Sequence, residues 1–198
     1  MAICVILAHP QKGSFNHAIA AMVVQTLNHH GYEVIFHDLY EEKFDPLLPG
    51  EEIAADAPLP PRLQQYCCEV SQAQGLVIIH PNWWGQPPAI LKGWVDRVFR
   101  PGWAYKFREN DKGEGIPLGL LTAKAALVFN TANTPPEREA AVFGDPLENI
   151  WKNCIFGLCG VENFFRKNFA VVVTSTPEDR KNWLQEVQDL VGRYFPPI

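Results

Sequence analysis

The sequence predicts an α/β fold of three layers, in which helices cover both faces of a doubly wound, five-stranded parallel sheet. Two observations carry this expectation. Continuous apolar runs of strand length recur along the chain, among them Ile3-Cys4-Val5-Ile6-Leu7-Ala8 and Gly75-Leu76-Val77-Ile78-Ile79. Unbroken apolarity over that length is what a strand buried on both faces requires. These runs alternate with segments whose apolar residues recur at helical spacing, and strand–helix–strand alternation gives parallel pairing through right-handed crossovers.

The elements follow in order. After the first strand, Ile3 to Ala8, Ser14 can cap a helix whose stripe is Phe15, Ile19, Met22, Val23 and Leu27, with Gly31 at the stop position. Tyr32 to Leu39 reads as the second strand. A polar, proline-bearing stretch from Glu41 to Pro61 precedes a helix from Arg62 to Gln74, and then comes the third strand. The next helix has Pro88 in its first turn and Leu91, Trp94, Val95 and Val98 on one face. Ala125 to Asn130 reads as the fourth strand and Phe169 to Thr174 as the fifth. Thr176-Pro177-Glu178-Asp179 combines cap, proline and acidic first turn, opening a helix that carries Trp183, Leu184, Val187, Leu190, Val191 and Tyr194.

With 198 residues, 47% of them apolar, the chain is expected to form one domain, 1–198, that buries a core without staples. The net charge of −5 comes without a basic cluster, which argues against a nucleic-acid partner. The apolar runs are too short to span a bilayer, and Met1 to Ala8 lacks the basic start and cleavage pattern of a signal peptide. A cytoplasmic protein without membrane insertion is expected. Cys4, Cys67, Cys68, Cys154 and Cys159 show no CxxC spacing and read as buried reduced thiols. His29-His30 close a helix, where cationic side chains complement the dipole, so no metal is expected. Asp96 and Arg97 read as a surface or dimer-interface ion pair and Lys92 as solvated. Trp103 and Tyr105 read as an exposed aromatic pair at an interface or substrate lid.

In an open parallel sheet, ligands sit beyond the carboxyl ends of the strands where the winding direction reverses. The loop His9-Pro10-Gln11-Lys12-Gly13-Ser14-Phe15-Asn16 ends at a helix N-terminus, with free backbone N–H groups beside a hydroxyl and an amide. Those are the parts of a phosphate or diphosphate site, although Ser14 serves equally well as a plain cap. In His80-Pro81-Asn82-Trp83-Trp84-Gly85-Gln86-Pro87-Pro88, adjacent tryptophans carry apolar surface that a solvated loop does not bury. The loop reads as one wall of a flavin site, the N–H groups of Trp83, Trp84 and Gly85 facing the isoalloxazine and an indole packing beside it. The alternative is a pair of core or interface aromatics with no ligand. Asn130-Thr131-Ala132-Asn133-Thr134-Pro135 offers donors that favour a negatively charged reduced ring, or is a polar turn. The chain shows no Ser-His-Asp set, paired catalytic carboxylates or metal-ligand cluster, so no catalytic residue is assigned beyond the flavin.

Three segments taken together, Leu7-Ala8-His9-Pro10 with Ser14-Phe15-Asn16, Pro88-Ala89-Ile90-Leu91-Lys92-Gly93-Trp94-Val95-Asp96-Arg97-Val98-Phe99, and Gly102-Trp103-Ala104-Tyr105, resemble the flavodoxin-like NAD(P)H:quinone oxidoreductase family. That family includes mammalian quinone reductases, bacterial modulators of drug activity and ancillary proteins of potassium efflux systems. The resemblance runs from Met1 to the region of Val173. It implies a flavodoxin-like fold, a non-covalent FAD or FMN, and hydride transfer from NAD(P)H to a quinone-like or other electron-poor acceptor. It also implies a homodimer with its sites at the subunit interface. Carried over residue by residue, it makes His9, Ser14, Phe15 and Asn16 phosphate and ribityl contacts. Pro81, Asn82, Trp83, Trp84 and Gly85 fall at the isoalloxazine wall, and Asn130, Thr131, Ala132 and Asn133 where relatives carry a threonine and glycine turn. The Ser14-Phe15-Asn16 loop is similar to that of FAD-binding relatives. Mammalian members place a tyrosine and a histidine downstream; here Glu137 to Asp145 holds neither, with Phe143 near the histidine's place, which leaves the acceptor open. A flavodoxin-type electron carrier and a flavoprotein regulatory subunit of a membrane transporter are the alternatives.

Overall fold

The computed structural model describes residues 1–108, 115 and 117–198. Among them the strands are β1 (Ala2–Leu7), β2 (Glu33–Asp38), β3 (Gly75–Pro81), β4 (Tyr105–Phe107), β5 (Pro117–Gly119), β6 (Ala125–Thr131) and β7 (Phe164–Phe169). Five of these form one sheet in the order β2-β1-β3-β6-β7, every pair parallel, while β4 and β5 make a separate antiparallel ribbon. The chain winds outward from β1 to β2, then returns past β1 to β3 and continues to the other edge. The reversal therefore lies between β1 and β3, and the loops following those two strands flank a crevice there.

The central strands are apolar because both faces are covered. On β1, Ile3, Val5 and Leu7 point to a core layer completed by Ile19, Val23 and Leu27 of α1 (Phe15–His29) and by Val187 and Val191 near the C-terminus. Cys4 and Ile6 point to the opposite layer, with Leu63 and Tyr66 of α2 (Pro61–Gln72), Trp94 of α3 (Ala89–Val98) and Trp151. This is the two-residue alternation of a strand. Two short helices, α4 (Pro136–Arg138) and α5 (Pro146–Asn149), run on into π-helical stretches, Glu139–Phe143 and Ile150–Gly157. Helix α6 (Pro177–Tyr194) opens with the predicted capping box: Thr176 Oγ1 accepts from the Asp179 N–H at 3.1 Å, and the Thr176 N–H donates to the Asp179 carboxylate at 2.8 Å.

Four expectations are corrected. The fifth strand is Phe164–Phe169, not Phe169 to Thr174. Its register ends with Phe169 opposite Thr131, the last residue of β6, so the valines beyond it bond the loop after β6 rather than a strand, and Val172–Thr174 turns as a 3-10 segment. Arg97 is not on the surface. Its Nε and Nη2 fork onto the two oxygens of buried Glu52, at 3.0 and 2.6 Å, and Nη1 donates to the Asp45 carbonyl at 2.7 Å. Asp96 instead meets Lys92 one helical turn away, at 2.6 Å. Trp103 and Tyr105 are half-buried and pack against the core rather than forming an exposed pair. All five cysteines are unpaired, but only Cys4, Cys67 and Cys159 are buried; Cys68 is half-buried and Cys154 exposed.

The Arg97 fork ties the Glu41 to Pro61 stretch across α3, and Gly93 makes the crossing close. A Cβ on Gly93 would stand 2.1 Å from the Pro46 carbonyl oxygen, so only glycine fits. None of the described helices is long and apolar enough to cross a membrane.

Candidate active site

The crevice holds two adjoining compartments. One, of about 470 Å³, is lined by His9, Gln11, Gly13, Ser14, Phe15 and Asn16 from the β1–α1 loop, Pro81, Asn82 and Trp83 after β3, Thr131 to Thr134 after β6, and Val172, Val173 and Arg180. The other, of about 370 Å³, is lined by Asn82, Trp84, Gly85, Ala132, Asn133, Thr134, Glu139, Phe143 and Pro146. They share Asn82 and Ala132 to Thr134, which makes them two ends of one site.

At the first end, Ser14 occupies the N-cap position, but its hydroxyl does not cap. It meets His17 Nδ1 at 2.9 Å instead, and the first-turn N–H groups of Phe15 and Asn16 remain without intrahelical acceptors. Asn16 Nδ2 donates to Thr131 Oγ1 at 2.9 Å, which locks the start of α1 to the end of β6. Phe15 packs edge-on against Phe169 and leans on Trp183, so it also fastens α1 to α6. His9 Nδ1 accepts from the Gln11 N–H at 3.1 Å, and partial burial pulls its pKa below the usual histidine value. Arg180 brings a cation to this compartment, held by bonds to Ser175 Oγ and the Val172 carbonyl.

The tryptophan loop is a tight reversal. Trp83 and Gln86 exchange both backbone hydrogen bonds at 3.0 Å, and the two residues between them are left-handed, Trp84 at φ 57° and Gly85 at φ 71°. That is the type I′ pattern. A Cβ on Gly85 would also come within 2.8 Å of Pro146, so the loop needs glycine for two reasons. The Trp83 N–H is thus closed and does not face a ligand as predicted. Those of Trp84 and Gly85 meet no backbone acceptor among the described residues. The Trp84 indole is fully exposed and Trp83 nearly half exposed.

Behind this wall, the Asn82 N–H donates to the Thr131 carbonyl at 2.7 Å and Asn82 Nδ2 to Glu139 Oε1 at 3.0 Å. In the third segment, Asn133 Oδ1 accepts from the Val173 N–H at 3.0 Å, while the Ala132 N–H donates to the Phe169 carbonyl and the Ala132 carbonyl accepts from the Val172 N–H, both at 3.0 Å. The backbone N–H groups of Asn133 and Thr134 are the donors left over among the described residues.

Asn130 is the predicted site residue that the structure takes out of the crevice. Fully buried, it accepts from Arg166 Nη1 at 2.8 Å and donates to Asn168 Oδ1 at 2.8 Å. Arg166 in turn pairs with Asp145 and Glu148, beside the Phe143 and Pro146 wall, so Asn130 acts at a distance as a brace. Sequence reasoning missed Val172, Val173, Arg180, Glu139 and Pro146. Nothing in the spacing of Arg180 marks it, and the valines imitate a strand.

A non-glycine, bulky residue at φ 57° is strained by about 1–3 kcal/mol, and such strain concentrates at functional positions. Trp84→Asn, which suits the left-handed turn, is expected to stabilise the ligand-free protein by about 1 kcal/mol. Urea unfolding checks it; a less stable variant would mean that the indole supports the fold.

Residues 1–191 match the model of the family described as flavodoxin-like fold, and the chain belongs to that family. It is 38% identical over 164 residues to an uncharacterized NAD(P)H oxidoreductase of Haemophilus influenzae, covering 80% of this chain and 78% of the relative. It is 35% identical over 224 aligned residues to NAD(P)H dehydrogenase (quinone) 1 of Cavia porcellus, covering 98% and 79%. Among solved structures it is similar to NAD(P)H:quinone oxidoreductase from Methanothermobacter marburgensis, with TM-score 0.80 and 25% identity, covering 96% of this chain and 95% of that one.

Proposed function

We propose that this chain is a flavin-dependent NAD(P)H oxidoreductase that passes hydride from the nicotinamide to a quinone-like or other electron-poor acceptor. The observation that carries the reading is one continuous crevice, at the reversal of a parallel sheet, with an anion-binding helix start at one end and an aromatic wall at the other. The names of the relatives, whose lengths this chain largely spans, agree with it.

The residues present fit a flavin. The free N–H groups of Phe15 and Asn16, with Arg180, suit a phosphate. The open N–H groups of Trp84, Gly85, Asn133 and Thr134 suit the carbonyls and nitrogens of a ring, and Glu139 fixes the Asn82 amide beneath them. When bound, a flavin supplies hydride acceptance and donation, which is why the chain needs groups that bind and orient rather than an acid–base set. The second compartment holds the reactants in turn against the wall, and its lining residues Trp84 and Phe143, both more than half exposed, leave it uncovered in the single chain. We take a second copy to cover it, giving a homodimer with sites at the interface. FAD is favoured over FMN by the resemblance of the Ser14-Phe15-Asn16 loop. The five unpaired thiols suit a reducing compartment, so 1–198 is read as one cytoplasmic domain.

The protein is expected to be yellow as isolated. Heat release and mass measurement identify the chromophore, and oxidation of NADH and NADPH with a soluble quinone tests the reaction. A protein that is colourless and takes up neither FAD nor FMN overturns the reading. Replacing Arg180 by alanine is expected to weaken flavin retention by about 1.5–3 kcal/mol, the scale of a hydrogen bond to a charged group. Unchanged affinity would put the phosphate elsewhere.

A further inference from the structure

We propose that a separate cavity, between Arg100 and the Ala55 to Leu59 stretch, binds a small carboxylate with an aromatic body. Two guanidinium groups, Arg97 and Arg100, are buried beside a single buried carboxylate, Glu52. Both oxygens of Glu52 are occupied by Arg97, which also has Asp45 at 3.9 Å toward the exposed rim. Among the described residues Arg100 has only neutral partners: Nη2 donates to the carbonyls of Glu52 at 2.7 Å and Ala54 at 2.9 Å. Among the described residues no carboxylate lies within ion-pair distance of Arg100, and its Nε is buried without an acceptor.

A guanidinium does not shed its proton, so burial at 4% exposure leaves a positive charge that no carboxylate among the described residues compensates. A buried charge is tolerated when an opposite charge meets it, and the missing partner is an anion. Arg100 lines a cavity of about 290 Å³, together with Gln64, Trp103, Pro58 and Leu59. This cavity shares no lining residue with either compartment of the candidate active site. The planar guanidinium suits a carboxylate, and the Gln64 amide adds a polar contact. Trp103, Pro58 and Leu59 add an apolar edge to a mainly polar lining, and an inorganic anion would leave that edge unused, so the geometry favours a carboxylate carrying a small flat apolar group.

The probe is benzoate, against its neutral isostere benzamide, on the full chain with its tryptophan indole signals assigned by NMR. Benzoate is expected to shift the Trp103 indole saturably, with benzamide at least about tenfold weaker, the affinity carried by a charge-assisted hydrogen bond. Arg100→Met is expected to abolish binding measured by calorimetry. Because Arg100 also pins the Glu52 and Ala54 carbonyls, that variant could fail to fold, and Trp103→Leu provides the second test. It leaves the pins in place and is expected to weaken benzoate severalfold. Absence of a saturable shift, equal binding of benzamide, shifts at Trp83 or Trp84 instead of Trp103, or benzoate affinity unchanged in either folded variant would each overturn the proposal. None of these readings depends on flavin content, so failure here leaves the oxidoreductase reading untouched.

Discussion

Replacing Arg97 by alanine is expected to destabilise the fold by about 3–5 kcal/mol, the cost of removing one partner of a buried ion pair. The loss does not measure the strength of the pair. It reflects what is left behind, the Glu52 carboxylate at 4% exposure with both oxygens stripped of donors. The Asp45 carbonyl loses its donor as well, and with it the clasp that holds the Asp45 to Glu52 stretch across α3 where Gly93 admits Pro46. Replacing both partners, as in Arg97→Met with Glu52→Leu, is expected to recover most of the loss, because two apolar side chains leave no unpaired charge. Denaturant unfolding of the single and double variants checks both. A single-variant loss below about 1 kcal/mol, the range of an exposed pair, would show that water reaches Glu52.

Arg97 also illustrates what the sequence hides. An Asp-Arg dipeptide on a helix looks like a solvated face, and nothing local says that a proline-bearing stretch forty-five residues earlier folds over it with a matching glutamate. The central strands were legible because β3 and β6 are buried along their whole length, and burial on both faces writes itself as an apolar run. Strand β7 was not. It carries Arg166 and Lys167, whose charges are met by Asp145, Glu148 and Glu186, while the valine run after it, richer in β-forming residues, has no partner strand. Pairing, rather than propensity, decided the assignment.

The candidate site divides in the same way. The loops after β1, β3 and β6 were named because ligands sit beyond the strand ends of a doubly wound sheet, and the structure brings all three to one crevice. Arg180 and the Val172–Val173 pair enter it from a distant part of the chain, and only the fold brings them in. Asn130 was readable and misread: strand alternation puts it on the side of Ala126 and Val128, opposite Phe129 and Thr131, hence away from α1. The turn at Trp84-Gly85 also had a cue, a residue followed by glycine between two that pair, but tryptophan is a poor occupant of a left-handed position, and that misfit is the stronger pointer to function.

Acid is expected to remove about 3 kcal/mol of stability through His80 alone as the pH falls from about 6.5 to 4. His80 is completely buried at the end of β3 and neutral: Nδ1 donates to the Pro81 carbonyl at 2.8 Å, and Nε2 accepts from the Trp151 indole at 3.0 Å. A second proton would set N–H against N–H at Trp151 in surroundings that solvate no charge. Burial accordingly lowers the pKa from the ordinary 6.5 to about 4, with the Arg166 charge adding to the effect. The folded pKa is depressed for a base, so between about pH 6.5 and 4 the unfolded chain takes up the proton and the folded chain does not. Stability therefore falls with pH through that window and levels off below it. Carboxylates also contribute to acid destabilisation, so the measurement is a difference: urea unfolding of the wild type and of His80→Gln across the same pH series. The variant is expected to be less stable at pH 7, having lost its fit to Trp151, but to have a shallower acid slope. Equal slopes would mean that His80 is protonated in the native state without cost, and that the β3 terminus beside the crevice opens to water before the rest of the fold.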